Sequence, residues 1–532
     1  MATYPLIAQL RDHLVQAPDY HDPTCFAWNN WWIYHALVHL RAKPYFSQHL
    51  LVPFPLDLRL HTLGLFYGLA SLPFVPLLGP LTVVNLQILA TPALNAHAGF
   101  LLIRKWVGRT DVAILCGGVL AISPAVTFHL RSGRPSCGAI WPLLLGQLFL
   151  MRLLEEPRWR NCLGLSASLI VLLSADQQMP IFGGLFFAVY LATVAATRPR
   201  ALFNRRFFGY ALVVMLLIAY PIRNLYIRPF LQTPGYTVPH SSEALHYSIH
   251  LGYLLNPGHL WSLYGLLLPV GFLAACVVSG ARRRAVFGIA CAVIGLSLTF
   301  GPVLSGTHIP MPFAILRRLP GLSMFRTPYR FQVLAALGMV LALATALAHL
   351  LARLPPHRHL RQGIMGALIL LAVADAVGYR SVYGFVTHSV RVEPIYEKIA
   401  NMPDDFLLLE VPFGVRSGTD VIGRGDDLML YQTVHRKRMI NSYLSRIPLD
   451  ALAYYRKSPA FMFLANEKTP PGDVDADLDL RMRALGVGFI LVHPEMLERA
   501  RFEAIVTLLS RRADLEPVPT GTTTLAFRVI GP

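Results

Sequence analysis

The chain has 532 residues, 54% of them hydrophobic and 14% charged, with a formal net charge of +18. A soluble domain carries roughly 25% charged residues, so this chain has too few charges to wrap several water-soluble cores and must use lipid as solvent for part of its length. The positive charge does not indicate nucleic acid, because Lys and Arg fall in short clusters between apolar runs and no basic-aromatic platform for stacking bases is present.

Residues 1–81 read as an outer-face segment with juxtamembrane helices. Within it, Asp19-Tyr20-His21-Asp22-Pro23 precedes Trp28, Trp31 and Trp32. A carboxylate here suits a general base toward a hydroxyl or a helix N-cap, and the tryptophans suit an interfacial belt. The run 61–78 is interrupted by Gly64, Gly68, Pro73 and Pro76, which predicts a helix along the membrane face and places His61 at its start.

Residues 82–379 read as a transmembrane helical domain. About ten apolar runs approach the ~20 residues a span needs: 82–103, 111–128, 137–154, 161–175, 179–197, 207–225, 259–280, 285–304, 328–353 and 362–378. If they alternate, five basic connections share one side: Arg104/Lys105/Arg109, Arg152/Arg158/Arg160, Arg198/Arg200/Arg205/Arg206, Arg282/Arg283/Arg284 and Arg353/Arg358/Arg361. The positive-inside rule makes that side cytoplasmic. Residues 1–81 then also lie outside, which requires a preceding span that the sequence does not show; a start upstream of Met1 would supply it.

Charged groups at membrane depth are costly and commonly functional, and three outer connections carry them. His129-Leu130-Arg131-Ser132-Gly133-Arg134 places two arginines against the positive-inside bias, where guanidinium forks suit phosphate. Asp176-Gln177-Gln178 joins two short runs and fits either a cavity lining or a plain turn. Phe325-Arg326-Thr327-Pro328-Tyr329-Arg330-Phe331 sets Arg326 and Arg330 four residues apart, for phosphate or for headgroup snorkelling.

Beyond residue 380 the pattern changes. Apolar runs at 405–412, 487–493 and 523–530 alternate with helical stretches at 391–399 and 496–510, predicting a soluble extracytoplasmic α/β domain over 380–532. No Gly-rich phosphate loop follows these strands, so a nucleotide site is not expected. The six cysteines (Cys25, Cys116, Cys137, Cys162, Cys276, Cys291) form no CxxC, and none falls in this domain, so neither a disulfide framework nor a cysteine zinc site is expected.

In order of features, residues 19–353 resemble the GT-C superfamily of integral membrane glycosyltransferases, in a poorly characterised bacterial branch. The resemblance rests on Asp22-Pro23 before a Trp-rich helix and on Pro53-Phe54 leading toward His61. It continues with Arg104 to Arg109, Ser123-Pro124 and His129, and the stretch 319–331. It implies a GT-C-like membrane fold of the bacterial inner membrane. The implied activity moves a hexose or pentose from a polyprenyl-phosphate-linked sugar to a glycan, lipid or protein acceptor. The catalytic acidic residue maps onto Asp22, or less well Asp19. His129, Arg131, Arg134, Arg326 and Arg330 would hold the donor phosphate, and His61, Asp176, Gln177 and Gln178 would line the cavity. The second outer loop lacks the acidic residue many relatives carry, so neither a two-carboxylate metal site nor any other cofactor is expected. The alternative is a GT-C-like scaffold that docks protein partners through its C-terminal domain; a lipid or polysaccharide transporter ranks below it, since no inverted repeat is visible.

Overall fold

The computed structural model describes residues 3–15, 22–232, 235–239, 241–319, 322, 325–355 and 358–530. Each of the ten apolar runs is helical. Five helices are long and apolar enough to cross a membrane: Pro80–Val107, Met179–Thr197, Arg205–Leu231, Pro328–Arg353 and His359–Gly378. The number rises to seven if two bent pairs each count as one span.

The bends have local causes. Thr110–Ile122 and Pro124–Arg131 meet at 42°, where Pro124 removes an amide and forces Ser123 into extended backbone. The run 259–280, expected as one span, is instead two helices, Pro257–Tyr264 and Leu267–Val277, crossing at 102°. Gly265 turns the chain at φ +75°. Asp375 fixes the corner, accepting from the Trp261 indole at 2.5 Å and from Leu266 N at 2.8 Å. The freed backbone polar group is thus satisfied inside protein, as lipid demands.

Helix Gln332–Arg353 is the axis of the membrane part. The apolar window of its span is 78% buried, against 11% for Arg205–Leu231 and His359–Gly378, whose apolar side chains face outward. Lipid gives no hydrophobic drive for helix pairing, so close contact must come from small residues. Accordingly, a Cβ at Gly338 would lie 2.2 Å from Ala292 N, and one at Gly295 would lie 2.4 Å from Ala335 N.

The expected strands form at Leu407–Val411, Val487–Val492 and Leu525–Val529. They belong to a five-stranded sheet that also takes Leu515–Val518 and Arg438–Met439. Leu407–Val411 runs parallel to Val487–Val492 and Arg438–Met439, while Leu525–Val529 pairs antiparallel with both Val487–Val492 and Leu515–Val518. Leu407–Val411 is buried throughout, as its three leucines and Val411 require for a strand covered on both faces, and it carries Glu410 into the interior. A second, three-stranded sheet joins Gly414–Arg416, Val421–Gly423 and Ser442–Tyr443.

The first residues of the chain pack against the last. His13–Val15 pairs antiparallel with Thr387–Ser389. Trp28, Trp32, Leu50, Leu51 and Leu58 share one apolar core with Leu409, Phe413, Tyr455 and Phe461. Trp28 donates to Gln432 Oε1 at 2.8 Å, and Tyr455 donates to Val52 O at 2.7 Å. The tryptophans read above as an interfacial belt are fully buried protein core.

Candidate functional site

Helix Asp22–Tyr34 begins with Asp22, a residue type favoured in the first turn by the helix dipole. Its carboxylate accepts from two distant parts of the chain. Arg134 donates from Nε to Oδ2, and Tyr443 donates from its hydroxyl to Oδ1 at 2.9 Å. Arg134 is 5% exposed, so the pair is a buried, charge-assisted one. Gly133 makes this possible. Its φ is +69°, and a Cβ there would lie 2.3 Å from Pro23 Cγ.

Around this pair opens a cavity of about 630 Å³. Five arginines line it, Arg59, Arg134, Arg326, Arg330 and Arg446, against one carboxylate, Asp22. Carboxylates behind the wall offset part of the charge: Arg59 pairs with Asp57, and Arg326 pairs with Glu243 at 2.9 Å. Arg330 donates to Gln178 Oε1 at 2.8 Å. Arg326, from the membrane part, and Arg446, from the C-terminal part, converge on Gly418, where a Cβ would sit 3.1 Å from the first guanidinium and 3.0 Å from the second. Burial, and then the neighbouring Arg326, lower the Arg446 pKa to about 10, with Glu243 opposing. It stays charged at neutral pH, and the gathered like charges favour an anion.

Apolar side chains also line the cavity, among them Leu173, Ile181, Ile222, Leu225, Ile227 and Phe230. Ile227 is 51% exposed.

His61 lines the cavity but is committed to holding two loops together. Its Nδ1 accepts from Ser445 N at 3.0 Å, which leaves Nε2 as the donor to Asn29 Oδ1 at 3.1 Å. Burial lowers its pKa to about 4, partly offset by Asp22, so the ring is neutral. Gln177 donates to the carbonyls of Arg59 and His61 and so also braces this loop.

The structure therefore brings Asp22, Arg134, Arg326, Arg330, His61, Gln177 and Gln178 to one cavity. Asp19 lies outside the described residues. Asp176 caps helix Met179–Thr197 through Gln178 N at 2.8 Å and Met179 N at 3.1 Å and lines a smaller adjoining cavity. His129 is buried on Pro124–Arg131 and Arg131 is half-buried at its end, and neither lines the main cavity. Sequence reasoning missed Arg59, Tyr443, Ser445 and Arg446. The last three stand on or beside the two-residue strand Ser442–Tyr443, too short for periodicity to mark it.

No family model and no curated protein matches the chain. Its fold is nevertheless matched among solved structures. The chain superposes on the arabinofuranosyltransferase AftD from Mycobacteria over 98% of its length, with a TM-score of 0.59 and 15% identity. A second AftD structure gives 0.58 and 15%. The superposition covers 41% of that AftD chain. The oligosaccharyltransferase AglB from Archaeoglobus fulgidus aligns over 98% of this chain and 72% of its own, at a TM-score of 0.45 and 12% identity. At these identities the likeness is one of fold.

Proposed function

We propose that this chain is an inverting membrane glycosyltransferase that moves a sugar from a polyprenyl-phosphate donor to an extracytoplasmic glycan, lipid or protein acceptor. One observation carries the reading: a single cavity is lined by apolar side chains, five arginines and the carboxylate of Asp22 among the described residues. The apolar side chains suit a polyprenyl chain and the arginines suit its phosphate. Asp22 accepts the proton of the acceptor hydroxyl as its oxygen bonds to the anomeric carbon. The bond from that carbon to the phosphate oxygen breaks, and the arginines stabilise the departing phosphate. Among the described residues the lining offers a dication one carboxylate, Asp22, and the step as written uses no metal.

The arrangement also supports the expected topology. Segments lining the cavity (22–26, 134–137, 173–181, 222–230, 322–330) belong to or border connections that charge asymmetry assigns to the outer side. Lys105 and Glu155, ion-paired across two basic connections, belong to the other. We accordingly place the protein in the bacterial cytoplasmic membrane with ten crossings, counting the short and bent helices, and residues 380–532 outside.

One observation favours a non-catalytic scaffold: both Asp22 oxygens are already engaged, by Arg134 and Tyr443. The experiment separating the two is transfer of labelled sugar from a polyprenyl-phosphate donor by purified protein. Asp22→Asn is expected to lower transfer by at least about 1,000-fold, the loss of a general base together with its charge. Full activity in that variant removes Asp22 as the base, and an inactive wild type across hexosyl and pentosyl donors favours the scaffold.

A further inference from the structure

A second cluster of titratable groups lies outside the cavity, where the parallel strands Leu407–Val411 and Val487–Val492 reach their carboxyl ends. In open α/β sheets that edge is where ligands bind. Glu410, on the first strand, is 0% exposed, and its Oε2 lies 2.7 Å from Nε2 of His493, just past the second. A buried carboxylate so placed keeps the imidazole proton on Nε2 and turns Nδ1 the other way. There Glu495 Oε1 lies at 3.6 Å. Glu393 completes the group, fixed by Thr524 to Oε1 and by Thr522 to Oε2, both at 2.7 Å. Thr524 Oγ1 is also 3.3 Å from His493 Nδ1, but its proton is already given to Glu393.

We propose that Glu393, His493 and Glu495 form a binding site for a divalent cation of the zinc class. Their ligand atoms all lie within 4.8 Å of one another, close enough to share one ion. One imidazole nitrogen and two carboxylates are a donor set that zinc accepts, with a solvent position left over. Glu495 is 56% exposed, so the site opens to water. Behind the ligands stands the support that metal-bound histidines characteristically have, a carboxylate on the other ring nitrogen. Charge argues the same way. Three carboxylates surround one imidazole, and among the described residues no Lys or Arg pairs with Glu393, Glu410 or Glu495. Glu410 is the buried carboxylate and has His493 as its ionic partner, and a cation on the far side of the ring would offset the part-exposed Glu393 and the exposed Glu495. The ion would tie the start of helix Pro394–Ala400 to the end of strand Val487–Val492, stabilising the sheet rather than acting in the cavity.

The test uses full-length protein in detergent, stripped with EDTA and titrated with ZnCl₂ against a fluorescent zinc chelator. Wild type is expected to bind one equivalent more than Glu393→Gln/Glu495→Gln, or to bind it at least about 100-fold more tightly. Both substituted side chains reach solvent, so the variant folds, checked by an unchanged circular dichroism spectrum and an unchanged melting temperature in EDTA. Zinc is expected to raise the melting temperature of wild type and not that of the variant. Equal stoichiometry and affinity in the two proteins overturns the proposal, as does a wild type that binds calcium in preference to zinc.

Discussion

Tyr443 is the residue through which the C-terminal part of the chain reaches the carboxylate of the N-terminal segment. Its hydroxyl is one of two donors to Asp22, and burial, then the Asp22 charge, hold its proton well above the ordinary phenolic range. Tyr443 therefore orients Asp22 as a neutral donor and does not compete with it as a base. Removing the hydroxyl leaves a largely buried carboxylate oxygen short of a partner, at a cost of about 1–3 kcal/mol. Tyr443→Phe is expected to lower the denaturation midpoint and to reduce kcat about tenfold with little change in donor KM, measured by transfer kinetics. An unchanged kcat would make the contact purely structural. Asp22 was legible as a candidate through the resemblance, whose catalytic acidic residue maps onto it, while its residues alone fitted a helix N-cap as well as a base. Tyr443 was not, because its partner stands 421 positions away and nothing local marks so distant a contact.

At the scale of elements, three buried histidines tie the stability of the fold to pH, and one of them, His61, clamps segments that carry the site. His61 joins 58–62 to 442–446, and burial lowers its pKa to about 4. His435 falls to about 3, through burial and then Lys437. His35 falls to about 4, through burial and then His49, His39 and Arg436. In the unfolded chain each titrates near 6.5. Between that value and the folded ones the unfolded chain binds more protons, so the stability present above pH 6.5 is lost as pH falls toward 4. For His61 alone the effect is about 3 kcal/mol. The melting midpoint is expected to drop steadily from pH 7 to pH 5, and His61→Asn to flatten that slope; parallel pH profiles for the two proteins would contradict it. Helical periodicity and run length located the helices, as Met179–Thr197 shows, because an apolar run of that length has few alternatives. Bends escaped. The corner at Gly265 depends on Asp375, more than 100 residues later, so the run 259–280 reads as continuous until tertiary contacts are known.

At the scale of the molecule, the cavity stands where the membrane helices meet the N- and C-terminal segments, and no one of the three completes it. The reading by segments separates 1–81 from 380–532, whereas in space they share a core. Sequence order carries no signal for that union, since an apolar strand reads alike whichever partner covers it. Basic connections were legible because charge asymmetry is a one-dimensional signal. The meeting of Arg326 with Arg446 was not. If the cavity holds a lipid phosphate, that union is what assembles the anion site. The most direct measurement is an electron cryo-microscopy map of the protein with a polyprenyl-phosphate bound. The account predicts phosphate density within hydrogen-bonding distance of Arg330 or Arg446 and beside Asp22, with the hydrocarbon running along Ile222, Leu225 and Ile227. Density for the lipid elsewhere, with the arginine-lined wall empty, would contradict it.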